Sequence, residues 1–394
     1  MLAHSPPLPL IIDFFEEGHD LALEDEANIL LAFRHRDRVR RIRFVMDSSN
    51  ADTLITTIDD EFPTLEYLFV FQVDMTRGNG TSLMRLNAFR APRLRRLVLW
   101  GVSVHVGTLL TTTTCGLVTL FLDNIPPSAY FPPNDLVLWL SLLPHLEILG
   151  IIFFSPTPND VVDGQLLQMP TMTHVTHRNL RWFMFNGTST YLEGVLPHIT
   201  TPLLERFQIL FFDQRTTFVP HLRQFVGATD KLRYKRARVR FKENVVSMGM
   251  YPHGWDQMDP FHIGVVCVPL DRQVASLAQI SNAVGTAFSE VEHLTLECAR
   301  EPKPHDSSDH WQADRARWLE ILGPFGNVKT LGVSKGLTAG LSRSLRFDEG
   351  ESPMGFLPEL KELEYDKSDV VGDAFAAFLH ARQNAGHPVS LAHL

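Results

Sequence analysis

Apolar and polar positions along the chain fall into one recurring phrase, Pro-x-Leu-x-x-φ-x-φ, where φ is apolar. Pro63-Leu65-Leu68-Val70, Pro92-Leu94-Leu97-Leu99, Pro144-Leu146-Leu149-Ile151, Pro202-Leu204-Phe207-Ile209 and Pro358-Leu360-Leu363-Tyr365 are its full copies. Apolar residues two apart share one face of a strand, so each phrase predicts a short strand with one buried side. The Pro sits ahead of the strand, where the chain turns and needs no ladder donor. Copies without the Pro start at Val39, Leu117, Leu180, Val291 and Val328.

Between the phrases the apolar spacing changes to the helical one. Helices are predicted over Glu24–Arg36, with Ile29, Leu30 and Phe33 on one face, and over Ala51–Phe62, with Leu54, Ile55 and Ile58. Others are predicted over Asp135–Leu143 and over Arg272–Phe288, the latter with Val274, Leu277, Ile280, Ser281 and Val284 as its stripe. His310–Leu322 follows with Trp311, Trp318, Leu319 and Leu322, and Asp369–Arg382 with Val370, Phe375, Phe378 and Leu379. Leu8–Phe15 reads as an edge strand and Pro388–Leu391 as a last one. Arg236–Lys242 alternates as a strand with Ala237, Val239 and Phe241 inward, and Phe261-x-Ile263-x-Val265 is its successor. Gly340–Ser352 is mixed, polar and read as mobile.

The phrases recur every roughly 23 to 37 residues, centred near 29, which is a long leucine-rich-repeat period. The expected fold is α/β: a leucine-rich-repeat-like solenoid over 1–394 as a single domain, with a curved parallel sheet and helices on the convex side. The clearest repeats are 62–212, residues 213–290 are irregular, and 291–394 hold the C-terminal repeats and a cap.

In such a register the residues between the inward leucines point to the concave face. That reading gives Tyr67, Phe69 and Phe71, then Arg96, Val98 and Trp100, then Thr119 and Phe121, Ile148 and Ile152, and Trp182 and Met184. An aromatic strand face of this kind is expected to bind protein, because large apolar patches mark partner sites and aromatic anchors dominate interface energetics. Arg41 and Arg43 at one end, with Glu362, Glu364 and Asp366 at the other, give that face a basic-to-acidic run.

Composition narrows the partners. The formal net charge is −9, which argues against nucleic acid as the default ligand. The basic run Lys231–Lys242 carries seven Lys or Arg but few stacking aromatics, and a charged strand edge explains it equally well. Cys115, Cys267 and Cys298 are scattered, without metal-ligand spacing or a disulfide framework, and read as free thiols in a reducing compartment. No stretch reaches membrane-span length and no signal peptide is read at the N-terminus. His305, Asp306, Asp309 and His310 lack the spacing of a metal site. No nucleophile elbow or phosphate-binding loop appears. The expectation is a non-catalytic chain with no cofactor and no metal, cytoplasmic or nuclear.

Several phrases taken together carry a resemblance: SPPLPLIIDF at 5–14, HRDRVRRIRF at 35–44, FPTLEYLFV at 62–70, APRLRRLVLWGV at 91–102, LPHLEILGI at 143–151, VEHLTLECA at 291–299 and FLHARQNAGHPVSL at 378–391. The chain resembles the mushroom-type (basidiomycete, hence fungal) F-box proteins with degenerate leucine-rich repeats. The resemblance implies a substrate-recognition part of a cullin-type ubiquitin ligase, with a protein substrate held on the repeats and a Skp-type adaptor on an F-box. No run of the form Leu-Pro-x-Glu-Leu-Leu-x-x-Ile-Phe occurs near the N-terminus, so the adaptor is implied only if an F-box lies upstream. The alternative is a free-standing repeat scaffold without a ligase partner.

Overall fold

The computed structural model describes residues 8–15, 23–46, 57–72, 88–102, 105, 107, 110, 116–156, 174–212, 219–252, 259–299, 315–334, 337–345, 355–365 and 375–393. The chain is mixed α/β, with mostly parallel, open sheets and helices between the strands. It divides into two compact units, Met1–Gly187 with Gly194–Leu204, and Thr188–Glu193 with Glu205–Leu394.

In the first unit, β1 (Leu10–Phe15), β2 (Val39–Met46), β3 (Tyr67–Gln72), β4 (Arg96–Trp100), β5 (Thr119–Ile125), β6 (Ile148–Phe153) and β8 (Trp182–Gly187) lie side by side, all parallel. A two-residue strand β7 (Val175–Thr176) pairs separately with β9 (Ile199–Thr200). Helices α1 (Leu23–Phe33) and α2 (Pro133–Ser141) connect strands. The strand leucines and phenylalanines of the repeated phrase are buried, and Phe33, Phe62 and Phe89 stack edge-on or tilted through that core.

The Pro of the phrase has a definite role. In Phe62-Pro63-Thr64-Leu65 the Leu65 N–H donates to the Phe62 carbonyl at 3.2 Å. The same closure joins Leu94 to Ala91, Leu146 to Leu143, Leu204 to Thr201 and Leu360 to Leu357. Each is a β-turn with Pro second, where its fixed φ is already correct. Ser289 and Gly326 take the Pro position in Phe288–Val291 and Phe325–Val328, which close in the same way. Several copies then meet the preceding one through a shared hydrogen bond. The N–H groups of Arg95 and Arg96 both donate to the Glu66 carbonyl, those of Val118 and Thr119 to Arg95, those of Glu147 and Ile148 to Val118, and those of Arg181 and Trp182 to Glu147. From β4 to β8 this closure sets the register of each strand on the one before it.

The second unit carries β10 (Arg206–Phe211), β11 (Arg236–Phe241), β12 (Val245–Tyr251), β13 (Phe261–Val266), β14 (His293–Cys298), β15 (Thr330–Val333), β16 (Glu362–Tyr365) and β17 (Ser390–His393). They lie in the order β10-β13-β12-β11-β14-β15-β16-β17. The wholly parallel sheet expected from the sequence is therefore corrected. β12 runs antiparallel to both β11 and β13. Three residues join β11 to β12, far too few for a parallel crossover, and the Lys242 N–H closes the hairpin on the Val245 carbonyl at 2.8 Å. The same finding corrects the reading of Arg236–Lys242 as a charged edge, since β11 lies between β12 and β14.

Helices α3 (Ser189–Val195), α4 (Pro220–Gly227), α5 (Leu270–Val284), α6 (Arg315–Leu322), α7 (Thr338–Ser344) and α8 (Ala376–Asn384) complete the chain. All five residues of the α5 stripe are buried. Three helix faces differ from expectation by one position. Leu30 is 42% exposed while Ile29 and Phe33, a turn apart, are buried. On α6, Ile321 rather than Leu319 joins Trp318 and Leu322 inside. On α8, Arg382 rather than Leu379 joins Phe378. The segment read as mobile at 340–352 begins as helix α7, with Leu341 and Leu345 buried. The predicted contributions of Leu54, Ile55, Trp311 and Val370 lie outside the described residues.

Candidate strand-face site

Within the first unit the strand pairing lines up the predicted site residues in rows. Arg41, Tyr67, Arg96, Thr119, Ile148 and Trp182 form one row across six neighbouring strands. Arg43, Phe69, Val98, Phe121, Gly150 and Met184 form the next. Val45, Phe71, Trp100 and Asp123 follow, and Ile152 pairs with Asn186. Leu68, Val70, Leu97, Leu99, Leu120, Leu122, Leu149, Ile151, Phe183 and Phe185 alternate with these rows and are buried. The register is thus the one the sequence pattern specifies. Tyr67, Phe69, Phe71, Val98, Trp100, Phe121, Ile148, Ile152, Trp182 and Met184 are half-buried and Arg96 is exposed.

The rings are ordered against one another. Tyr67, Phe69 and Phe71 stack along β3 with centroids 6.4 and 6.5 Å apart and planes within 6°. Trp100 meets Phe71 at 4.9 Å, and Phe121 approaches Trp182 at 6.5 Å. The Arg41 guanidinium lies 4.8 Å from the Tyr67 centroid and that of Arg43 5.5 Å from Phe69, so two cations cover the rim of the aromatic strip. Arg43 is also 3.5 Å from Asp13 on β1.

Two features of this face had no signal in the strand phrase. Gly150 occupies an Ile-type position, and a Cβ there would meet Phe121 at 2.3 Å; the bare backbone is what lets that ring lie flat on the sheet. Asp123 pairs with Trp100, and burial pushes its carboxyl up to about 6, against the Asn124 backbone hydrogen bond that favours the charged form.

The irregular middle of the sequence holds a different cluster in the second unit. Asp259 is 3% exposed and lies 3.9 Å from Arg238, 3.7 Å from Arg240 and 3.8 Å from His262. Glu297 reaches the same arginines at 3.7 and 3.0 Å, and Arg238 stacks 4.5 Å from the Tyr251 ring. Gly249 makes room for the carboxylate, because a Cβ there would stand 2.2 Å from Asp259 Oδ2. Opposite charges drawn from β11, β13 and β14 are thereby gathered over β12, which makes the cluster a lock on the reversed strand. Three more members of the basic run are paired: Lys231 with Glu205, Arg233 with Glu290, and Lys235 with Glu292.

Glu362 and Glu364 stand half-buried on β16, and Asp366 lies outside the described residues. So do His305, Asp306, Asp309, His310 and Cys115. Cys267 is buried and Cys298 half-buried, both unbridged. Among the described residues no group of three His, Cys, Asp or Glu could hold a metal ion, and no helix is long and apolar enough to cross a membrane. Compared with known proteins, the chain matches no family model, and no curated protein is significantly similar to it.

Proposed function

We propose that the chain is a non-catalytic protein-binding scaffold built as a leucine-rich-repeat-like solenoid. Its binding surface is the aromatic strand face of the first unit, from Tyr67 to Met184. The observation that carries this reading is the ordered strip of half-exposed rings on a solvent-side strand face, where polar residues are the ordinary choice. The rigid backbone beneath it presents these anchors with little ordering cost on binding. The resemblance extends the proposal: the bound protein is a substrate, and the scaffold serves a cullin-type ubiquitin ligase in the cytoplasm or nucleus through a Skp-type adaptor on an upstream F-box.

Two experiments separate these layers. Affinity capture with the full chain, beside the Trp100→Ala/Trp182→Ala variant, is followed by reconstitution with each captured protein in purified form. Loss of binding by the folded variant supports the face; equal binding by both overturns it. For the ligase link, the chain and a form extended to the next upstream in-frame start are each mixed with the Skp-type adaptor. Binding by the extended form alone supports the link. If neither binds, the scaffold acts without a ligase.

A further inference from the structure

The amino ends of the first unit's strands carry a groove that shares Arg41, Tyr67 and Arg96 with the strand face and extends beyond it. It has a volume of about 810 Å³ and is lined by Arg40, Arg41, Arg95, Arg96, Glu66 and Glu147. A second hollow of about 640 Å³ shares Glu66, Arg95 and Glu147 with it and adds Arg93. Five guanidiniums therefore face two carboxylates. Arg40 lies 3.8 Å from Glu66 and Arg41 covers Tyr67, whereas Arg93, Arg95 and Arg96 make no ion pair with another described residue.

The backbone adds to this imbalance. The carbonyls of Glu66, Arg95, Val118 and Glu147 each already accept two N–H groups from the next copy. The floor thus has much of its acceptor capacity filled, while the walls supply guanidinium donors. Such a groove suits an anionic acceptor, and guanidinium forks match carboxylates in particular.

Two observations favour a polypeptide over a nucleic acid. Ile11, 66% exposed, and Tyr67 line the same groove, so charge alternates with apolar surface. The chain as a whole carries −9, which opposes a dense polyphosphate more than a few carboxylates. The groove crosses six strands, from Ile11 on β1 to Glu147 just ahead of β6. At about 4.8 Å per strand spacing and about 3.3 Å per extended residue, a segment of about seven residues spans it.

We propose that this groove takes an acidic, extended polypeptide segment whose carboxylates meet Arg41, Arg95 and Arg96 and whose apolar side chains rest on Ile11 and Tyr67. The proposal rests on the reading of this unit as a protein-binding scaffold and specifies the charge of what it binds.

The test is fluorescence anisotropy of the full chain with fluorescein-labelled hexaglutamate, with hexalysine and hexauridylate as comparators. Hexaglutamate is expected to bind saturably at 50 mM salt and hexalysine not to bind. Binding should weaken at least tenfold in Arg95→Glu/Arg96→Glu and again on raising salt to 300 mM. Arg317→Glu, on exposed surface of α6, should leave it unchanged. Arg95→Gln/Arg96→Gln removes the charges without adding acid and should also weaken binding, with circular dichroism verifying the fold of each variant. Absence of hexaglutamate binding, indifference to both double substitutions, or tighter binding of hexauridylate through the same arginines would overturn the proposal. If the groove fails here while the Trp100→Ala/Trp182→Ala variant still loses its reconstituted partner, the aromatic face stands and only the acidic segment falls.

Discussion

Gly150 shows how one residue without a side chain shapes a surface made of large ones. Its missing Cβ is the floor on which Phe121 rests, so Gly150→Ala must displace that ring or bend the strand. We expect a stability loss of roughly 1–3 kcal/mol in urea unfolding, together with weakened partner binding, although Gly150 itself offers nothing to a partner. Asp123, on the same face, adds a pH dependence. Its folded carboxyl sits at about 6 against an ordinary 3.8, so between those values the folded chain holds a proton that the unfolded chain has released. Its contribution to stability therefore falls as pH rises through that window and stays low above it. Asp123→Asn should raise the urea midpoint at pH 7.5 and leave it nearly unchanged at pH 4. Equal effects at both pH values would refute the assignment. Arg382 is a third case. It is fully buried at the end of α8 and donates to the Pro358 and Leu360 carbonyls at 3.1 and 3.0 Å, tying the helix to the turn before β16. Arg382→Met keeps much of the stem volume but strands those carbonyls, at an expected cost of about 2–3 kcal/mol.

At the scale of elements, the reversed strand β12 depends on the Asp259 network. Removing one partner of a buried ion cluster leaves the others uncompensated. Asp259→Ala should cost roughly 3–5 kcal/mol and raise hydrogen exchange first at 245–251; unchanged exchange there would show that β12 is held by its backbone alone. Glu292 ties three strand starts together, bonded to Lys235 at 2.7 Å and Lys329 at 2.8 Å, and these lysines hold its carboxyl down at about 2. The stabilisation it contributes is complete above the ordinary 4.5 and lost as pH falls towards 2, a loss absent in Glu292→Gln.

The strands were legible because period-2 alternation and a turn-forming Pro speak at the level of local backbone. The rows of the site followed from it, since a shared hydrogen bond repeats the same register from β4 to β8. β12 was written in Val246-x-Met248-x-Met250, yet Ser247 and Gly249 between them removed the contrast that marks a strand. The smallness of Gly249 is explained only by Asp259, and Ser247 faces Gly264 on β13, both contacts made across the sheet. Arg382 was equally hidden, because a charged residue reads as a helix exterior unless the carbonyls waiting inside are known. The arginine groove was missed for a related reason. Arg40 and Arg41 are far in sequence from Arg93, Arg95 and Arg96, and the two groups meet only when the strand starts are aligned.

For the molecule as a whole, each unit buries one face of its sheet under helices and turns. On the first unit's other face, the rings of Tyr67, Phe69, Phe71, Trp100, Phe121 and Trp182 remain half open to solvent. In the second unit Arg233, Arg238 and Arg240 are engaged by Glu290, Glu297 and Asp259, whereas the first unit's groove gathers Arg93, Arg95 and Arg96 without such partners among the described residues. The claim on which the account turns is that the ring-bearing face binds protein. Hydroxyl-radical footprinting of the full chain, with and without its reconstituted partner, addresses it most directly. The account predicts that labelling falls at Tyr67, Phe69, Phe71, Trp100 and Trp182 when the partner is bound. Unchanged labelling at these rings, with protection confined to helices or to the second unit, would contradict it.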